Sequence, residues 1–172
     1  FFQDYAAGFA IFPVGNRGTP PLMIVQSLAA VGSELHGKKV VISISPVWFL
    51  QDANDQATFA GNFSRLHANA LAFSTDLDFT FKQQAARRMM QFPKTLEQDP
   101  LLQFALQELA DGSDTARLLY LAVLPLGMMQ NAVLRLQDDG HTLAYVLKHQ
   151  SVSTAPAQKT ASFDWPALAA IA

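Results

Sequence analysis

Residues 38–50 read KKVVISISPVWFL, and the reading of this stretch decides the fold. Val40 to Ser45 is short, apolar and rich in β-branched residues, the pattern of a strand buried on both faces of a sheet. Pro46 has no N–H to give a ladder and stops the strand. Trp48 and Phe49 then stand where a strand usually leaves into small polar turn residues. Upstream, Leu22 to Leu35 carries apolar residues at helical spacing, with Thr19 placed to cap it and prolines in its first turn. Gly37 turns this helix into the strand. A helix feeding such a strand predicts a parallel α/β sheet.

A second strand signal lies in Phe9 to Val14, closed by the turn Gly15-Asn16-Arg17-Gly18. A glycine-bearing turn between strand and helix can present backbone N–H groups to an oxyanion or a phosphate, and it serves equally as a plain βα turn. Beyond Phe49 the periodicity becomes helical, over residues 55–74 and 76–92, punctuated by Pro93 and Pro100. A third helix runs from an Asp99 cap to a Gly112 stop. A fourth, capped by Ser113 or Asp114, runs to Asp138–Gly140, and Pro125 should kink it. Residues 151–162 read as a polar linker, and Asp164 caps a last apolar fragment. The division expected is an α/β core over residues 1–50, a helical insertion over 51–150, and a linker with the start of a following helix over 151–172.

The chain has 172 residues, half of them hydrophobic and 15% charged, which suits one folded domain. A net charge of −2 without a basic stripe gives no sign of nucleic acid. The absence of cysteine excludes disulfides, thiolate metal sites and a cysteine nucleophile. Leu118 to Met129 is the most apolar stretch, shorter than the roughly 20 residues a spanning helix needs. The opening residues resemble no signal peptide, and the chain reads as a piece of a longer protein.

Two local patterns resemble hydrolase motifs. Gly32-Ser33 is set between a helix and a strand, whereas a nucleophilic serine needs a strand before it and a helix after it. Asp138-x-x-His141 could orient an imidazole on a serine, but two acids beside Gly140 are also ordinary helix-exit chemistry. Ser33, Asp138 and His141 are therefore minority catalytic candidates. His36, His67 and His149 stand at no metal-ligand spacing, so no metal site is expected. Arg87-Arg88 is a polar helix face that could also meet an anion. The methionine pairs 89–90 and 128–129 read as core filler.

Taken in order along the chain, these pieces resemble the DltD family, the D-alanyl-lipoteichoic acid biosynthesis proteins. The resemblance rests on Gln26-Ser27-Leu28 in the first helix, Gly37-Lys38-Lys39-Val40-Val41 opening the strand, and Ile44-Ser45-Pro46-x-Trp48-Phe49 ending it. It continues through Phe63-Ser64, Ala86-Arg87-Arg88-Met89-Met90, Asp99-Pro100-Leu101-Leu102 and Asp164-Trp165. It implies an SGNH-hydrolase-like, flavodoxin-like three-layer sandwich, here partial and carrying the large helical insertion. It implies an extracytoplasmic protein, periplasmic or on the outer face of the cytoplasmic membrane, anchored through a segment outside this chain. The implied activity is D-alanyl transfer onto teichoic acid or another envelope polymer through a serine acyl-enzyme, with no cofactor. The implied partners are a D-alanyl carrier or membrane acyltransferase and the polymer acceptor.

In that comparison the nucleophile and the Asp-x-x-His pair fall outside this chain, which agrees with the topology argument against Ser33. Gly15, Asn16, Arg17, Gly18, Ser45, Val47, Trp48 and Phe49 become the candidates for the oxyanion and substrate site. One departure matters: the family has glutamine after Ser-Pro, and this chain has Val47, which cannot donate to an oxyanion. The rival reading is a module without chemistry that docks a carrier protein, a membrane acyltransferase or a polymer through its apolar helices.

Overall fold

The computed structural model describes residues 19–42 and 56–149. The chain divides into two compact units, one of Asn16–Gly140 and one of Phe1–Gly15 with His141–Ala172. Among the described residues the fold is helical: α1 (Pro21–Ala30), a 3-10 turn (Gly32–Leu35), α2 (Gln56–Asn62), α3 (Arg65–Ala72), α4 (Phe79–Met89), α5 (Pro93–Leu96), α6 (Pro100–Asp111) and α7 (Asp114–His149). No strand occurs among them.

The helix-rich part of the expectation holds. The strand expected from Val40 does not form in its described part, since residues 40–42 carry no regular structure and are exposed. With no neighbouring strand among the described residues, their β-branched side chains have no pleated surface there to pack on, and β-propensity is largely that packing. The rest of that strand, Ser45, Val47, Trp48 and Phe49, and the turn Gly15 to Gly18 lie outside the described residues, as does the linker.

Local chemistry sets most helix ends. Pro20 rather than Thr19 takes the cap position of α1, and Pro21, which has no N–H to satisfy, opens the helix. α1 stops at Ala30, five residues earlier than its periodicity suggests, because Gly32-Ser33 tightens the chain into a 3-10 turn. Gly37 then reverses the chain at φ +72°, where a side chain would be strained.

The run 55–74 breaks at Ser64, whose hydroxyl accepts from the His67 N–H at 3.3 Å and so begins a second helix. In the same way Asp78 accepts from the Thr80 and Phe81 N–H groups and starts α4. Asp99 caps α6, and Gly112 ends it at φ +71°, as the sequence predicts. Ser113 caps α7 by accepting from the Ala116 N–H. α7 does not stop at Gly140; it runs through Pro125 and Asp138–His141 to His149.

The core of the Asn16–Gly140 unit is formed where α1 meets α3 and α4 meets α6. Leu96, Leu102, Leu106 and Leu109 are wholly buried there, with Met89 and the ring of Tyr120. Phe59 of α2 stacks on Phe92 at 4.0 Å between ring centres. Gly127 lets α7 lie directly on the Phe73 ring, where even a methyl group would overlap it.

A buried polar contact ties α7 to the α3–α4 turn. Lys82 Nζ donates to the Ser74 carbonyl and to the Tyr120 hydroxyl, each at 2.9 Å, and that hydroxyl donates to the Ala72 carbonyl at 2.8 Å. Burial lowers the Lys82 pKa, against the pull of the Asp78 carboxylate, and pushes the Tyr120 phenol up to about 12. Tyr120 therefore remains a donor across the physiological range.

Candidate functional site

The polar chemistry of the Asn16–Gly140 unit gathers on α1, α3 and α7. The Ser64 cap that starts α3 fixes its first turn, and from that turn the His67 ring reaches across to α1. His67 Nδ1 lies 3.2 Å from Ser27 Oγ. From α7, Arg135 donates to the Ala30 carbonyl at 2.7 Å, satisfying an acceptor in the last turn of α1. Asp138 follows one turn later on the same helix.

Burial lowers the His67 pKa; the Asp138 carboxylate pulls it up and the Arg135 guanidinium pushes it further down. The imidazole is therefore neutral at pH 7, with a lone pair on one ring nitrogen. A neutral imidazole bonded to a serine hydroxyl, with a carboxylate acting on the ring, is the kind of arrangement from which serine nucleophiles are built. Its setting differs from an active nucleophile. Ser27 lies inside α1, half-buried between two helices, and not on an exposed strand-to-helix turn. As it stands, the contact clasps α1 to α3.

A second cluster is more deeply buried. Asp99 Oδ2 accepts from Arg65 Nε at 2.6 Å and from Asn69 Nδ2 at 3.0 Å, while its Oδ1 accepts from the Leu102 N–H at 3.1 Å. Gln130 Nε2 of α7 reaches both Asp99 oxygens and Asn69 Oδ1. Burial alone would raise the Asp99 pKa, but Arg65, Gln130, Asn69 and the Leu102 N–H together hold it below the usual carboxylate range. With its oxygens this fully engaged, Asp99 is a structural tie between α3, α6 and α7.

Between α1 and α4 lies a groove of about 480 Å³. Leu22, Val25, Phe81 and Ala85 form its apolar walls, and Gln84, Arg87, Arg88 and Gln91 its polar edge. Arg87 donates to the Ala110 carbonyl at 3.0 Å. The chemistry of this groove suits an apolar chain that ends in an anion. Behind it, Gln26 is wholly buried; its Nε2 meets the Met89 sulfur at 3.1 Å, and its Oε1 has no hydrogen-bond partner among the described residues.

Of the residues singled out in the sequence, Ser33 is exposed on the 3-10 turn. Asp138 and His141 are exposed one turn apart on α7. Asp138 is thus placed to act on His67, a partner its local motif did not suggest. His67 itself carried no signal, because forty residues and a helix pairing separate it from Ser27. No group of three or more histidine and acidic side chains among the described residues could hold a metal.

A family model described as "DltD protein" matches residues 1–172. The chain is 33% identical over 112 residues to Protein DltD of Bacillus subtilis (strain 168), covering 65% of this chain and 28% of the relative. It is 28% identical over 94 residues to Protein DltD of Staphylococcus aureus (strain NCTC 8325 / PS 47), covering 55% and 24%. Over 110 residues it is 29% identical to Protein DltD of Lacticaseibacillus rhamnosus, covering 64% and 26%. The chain thus spans about a quarter of the length of these curated relatives. No solved structure matches it.

Proposed function

We propose that this chain, which belongs to the DltD family over its whole length, is the helical body of a cell-envelope protein that takes part in D-alanylation of teichoic acid or a related polymer. The observation that carries this reading is the family match over residues 1–172. The acyl transfer itself proceeds at a serine and an Asp-x-x-His pair supplied by the rest of the polypeptide, on an SGNH-like sheet outside the cytoplasm. Two features support placing the chemistry elsewhere. Ser33 sits on a 3-10 turn with no strand before it, and Ser27 is enclosed between helices.

In such a protein the residues around Gly15–Gly18 and Ser45–Phe49 border the acyl site. Val47, where the family has glutamine, leaves oxyanion stabilisation to backbone N–H groups. A second reading, a docking module without chemistry, is favoured by the apolar outer face of α7.

The test is made in the full-length parent. Deleting its gene should lower the D-alanine ester content of the envelope, and restoring it should return that content. Reintroduced Ser33→Ala should restore it fully. An unchanged ester content on deletion would sink the D-alanylation reading. Failure of Ser33→Ala to complement, with protein levels intact, would move the chemistry into this chain.

A further inference from the structure

The groove between α1 and α4 changes character along its length. Phe81, Ala85 and Arg88 recur at helical spacing on one face of α4, and α1 brings only Leu22 and Val25 to the other wall. At 1.5 Å per residue, Phe81 and Arg88 lie about 10 Å apart along the helix axis. An apolar wall thus runs into a cationic end within the reach of one short alkyl chain.

The charge at this groove is one-sided. α1 has no charged residue, and residues 79–92 carry Lys82, Arg87 and Arg88 with no Asp or Glu. Lys82 turns inward to Ser74 and Tyr120, which leaves the two guanidiniums at the groove. The whole chain has a net charge of −2, so this is a local excess against the average.

Basic residues in a last helical turn commonly answer the helix dipole. Arg87 does structural work of another kind, since its Nε donates to the Ala110 carbonyl of α6, and its terminal N–H groups are left over. Arg88 has no hydrogen-bond or ion-pair partner among the described residues, where Arg65–Asp99 is the one ion pair. Helical side chains tilt toward the N-terminus of their own helix. That tilt carries the Arg88 guanidinium away from the carbonyl end of α4 and over the groove.

Apolar walls alone would accept many occupants, but two guanidiniums without a carboxylate narrow them to an oxyanion. A carboxylate has two oxygens, enough for one guanidinium fork. A phosphate monoester has three terminal oxygens and nearly double the charge, enough for both. A groove of about 480 Å³ has the size of a small-molecule site, and about 10 Å of wall is too little for a protein patch.

We propose that the α1–α4 groove binds a free single-chain amphiphile with a phosphate head. The chain lies on Leu22, Val25 and Phe81, and the phosphate meets Arg88 and the terminal N–H groups of Arg87. The site stands apart from the acyl-transfer reading, because it rests on the groove and its charge alone.

Calorimetric titration of the 172-residue chain with decyl phosphate, kept below its micellar concentration, tests the site. One-to-one saturable binding is expected, and it should weaken as salt rises. Arg88→Gln should lower the affinity about tenfold or more, as loss of a charge-assisted contact does, and Arg88→Lys should lower it less. Phe81→Ser should weaken binding several-fold. Both positions are exposed, so circular dichroism and melting should be retained in each variant. Inorganic phosphate and decanol, the head and the chain alone, should each bind at least about tenfold more weakly than decyl phosphate. Absence of saturable binding overturns the proposal, as does an equal loss in Lys94→Gln, an exposed cation outside the groove. Decanol binding as tightly as decyl phosphate overturns it as well. Binding by this chain that is lost in the full-length parent assigns the groove to another segment of the polypeptide, and overturns it too.

Discussion

On the inner side of α7, Tyr120, Gly127 and Gln130 meet a hydroxyl-accepting carbonyl, an aromatic ring and a buried carboxylate; on the outer side, Leu126, Met129 and Leu136 meet solvent. Both faces carry large apolar side chains. They differ in specificity, because the inner face carries the polar atoms that fix how α7 lies on α3 and α6. The outer face carries a periodic pattern with no polar atom to fix anything. Burial of apolar area is non-directional, whereas hydrogen bonds inside a core select one arrangement. Packing of the unit should therefore depend on a few inner residues and hardly at all on the outer ones.

The largest effect should come from Asp99→Ala. It removes the α6 cap, the ion pair with Arg65 and the carboxylate that Asn69 and Gln130 share, leaving those two amides only each other and the Arg65 carbonyl, for a loss of about 3 kcal/mol in chemical denaturation. A loss below about 1 kcal/mol would mean that the inner face is not fixed by this cluster. Gly127→Val comes next, since its side chain would overlap the Phe73 ring; overpacking of this kind costs about 1–3 kcal/mol. Tyr120→Phe, which gives up the bond to the Ala72 carbonyl and a partner of Lys82, should cost about 1–2 kcal/mol. At the other extreme, Met129→Ser on the outer face should change monomer stability by no more than about 0.5 kcal/mol. A larger loss would show that the outer face is already packed within the monomer.

The pH dependence separates the two polar clusters. Asp99 is held below the ordinary carboxylate range, so its contribution is whole above about pH 4 and is lost as pH falls through the folded value. His67 is lowered from an ordinary value near 6.5, so the unfolded chain takes up the proton first. Its contribution is whole above about pH 6.5 and declines as pH falls below it. His67→Gln should remove the slope between that point and mild acid, and Asp99→Asn should remove the acid limb. Melting curves across pH 3 to 8 would read both.

What the sequence made legible was local. Asp99 and Gly112 bound a helix because one supplies a cap and the other a positive φ, and both requirements are written in single residues. Ser64 was as readable in principle, but the continuous helical periodicity around it masked a break; the break ahead of α4 was read, and Asp78 only sets its start three residues later than expected. Strand and helix compete over a run such as Val40-Val41-Ile42, and with no neighbouring strand among the described residues the run stays irregular there. The Ser27–His67 contact was illegible, because it depends on how α1 meets α3 and no spacing in the chain encodes that. Asp138 was found for a different reason from the one the structure supplies.

The central claim is that the acyl chemistry proposed for this DltD-family protein lies outside the helical body. It is tested most directly by exposing the purified chain to a D-alanyl thioester and searching its serines for an acyl adduct by mass spectrometry. No serine should be acylated and no thioester consumed above the uncatalysed rate. An adduct on Ser27, absent in Ser27→Ala and abolished by His67→Gln in a protein that still folds, would contradict the claim and make the α1–α3 clasp the reacting site.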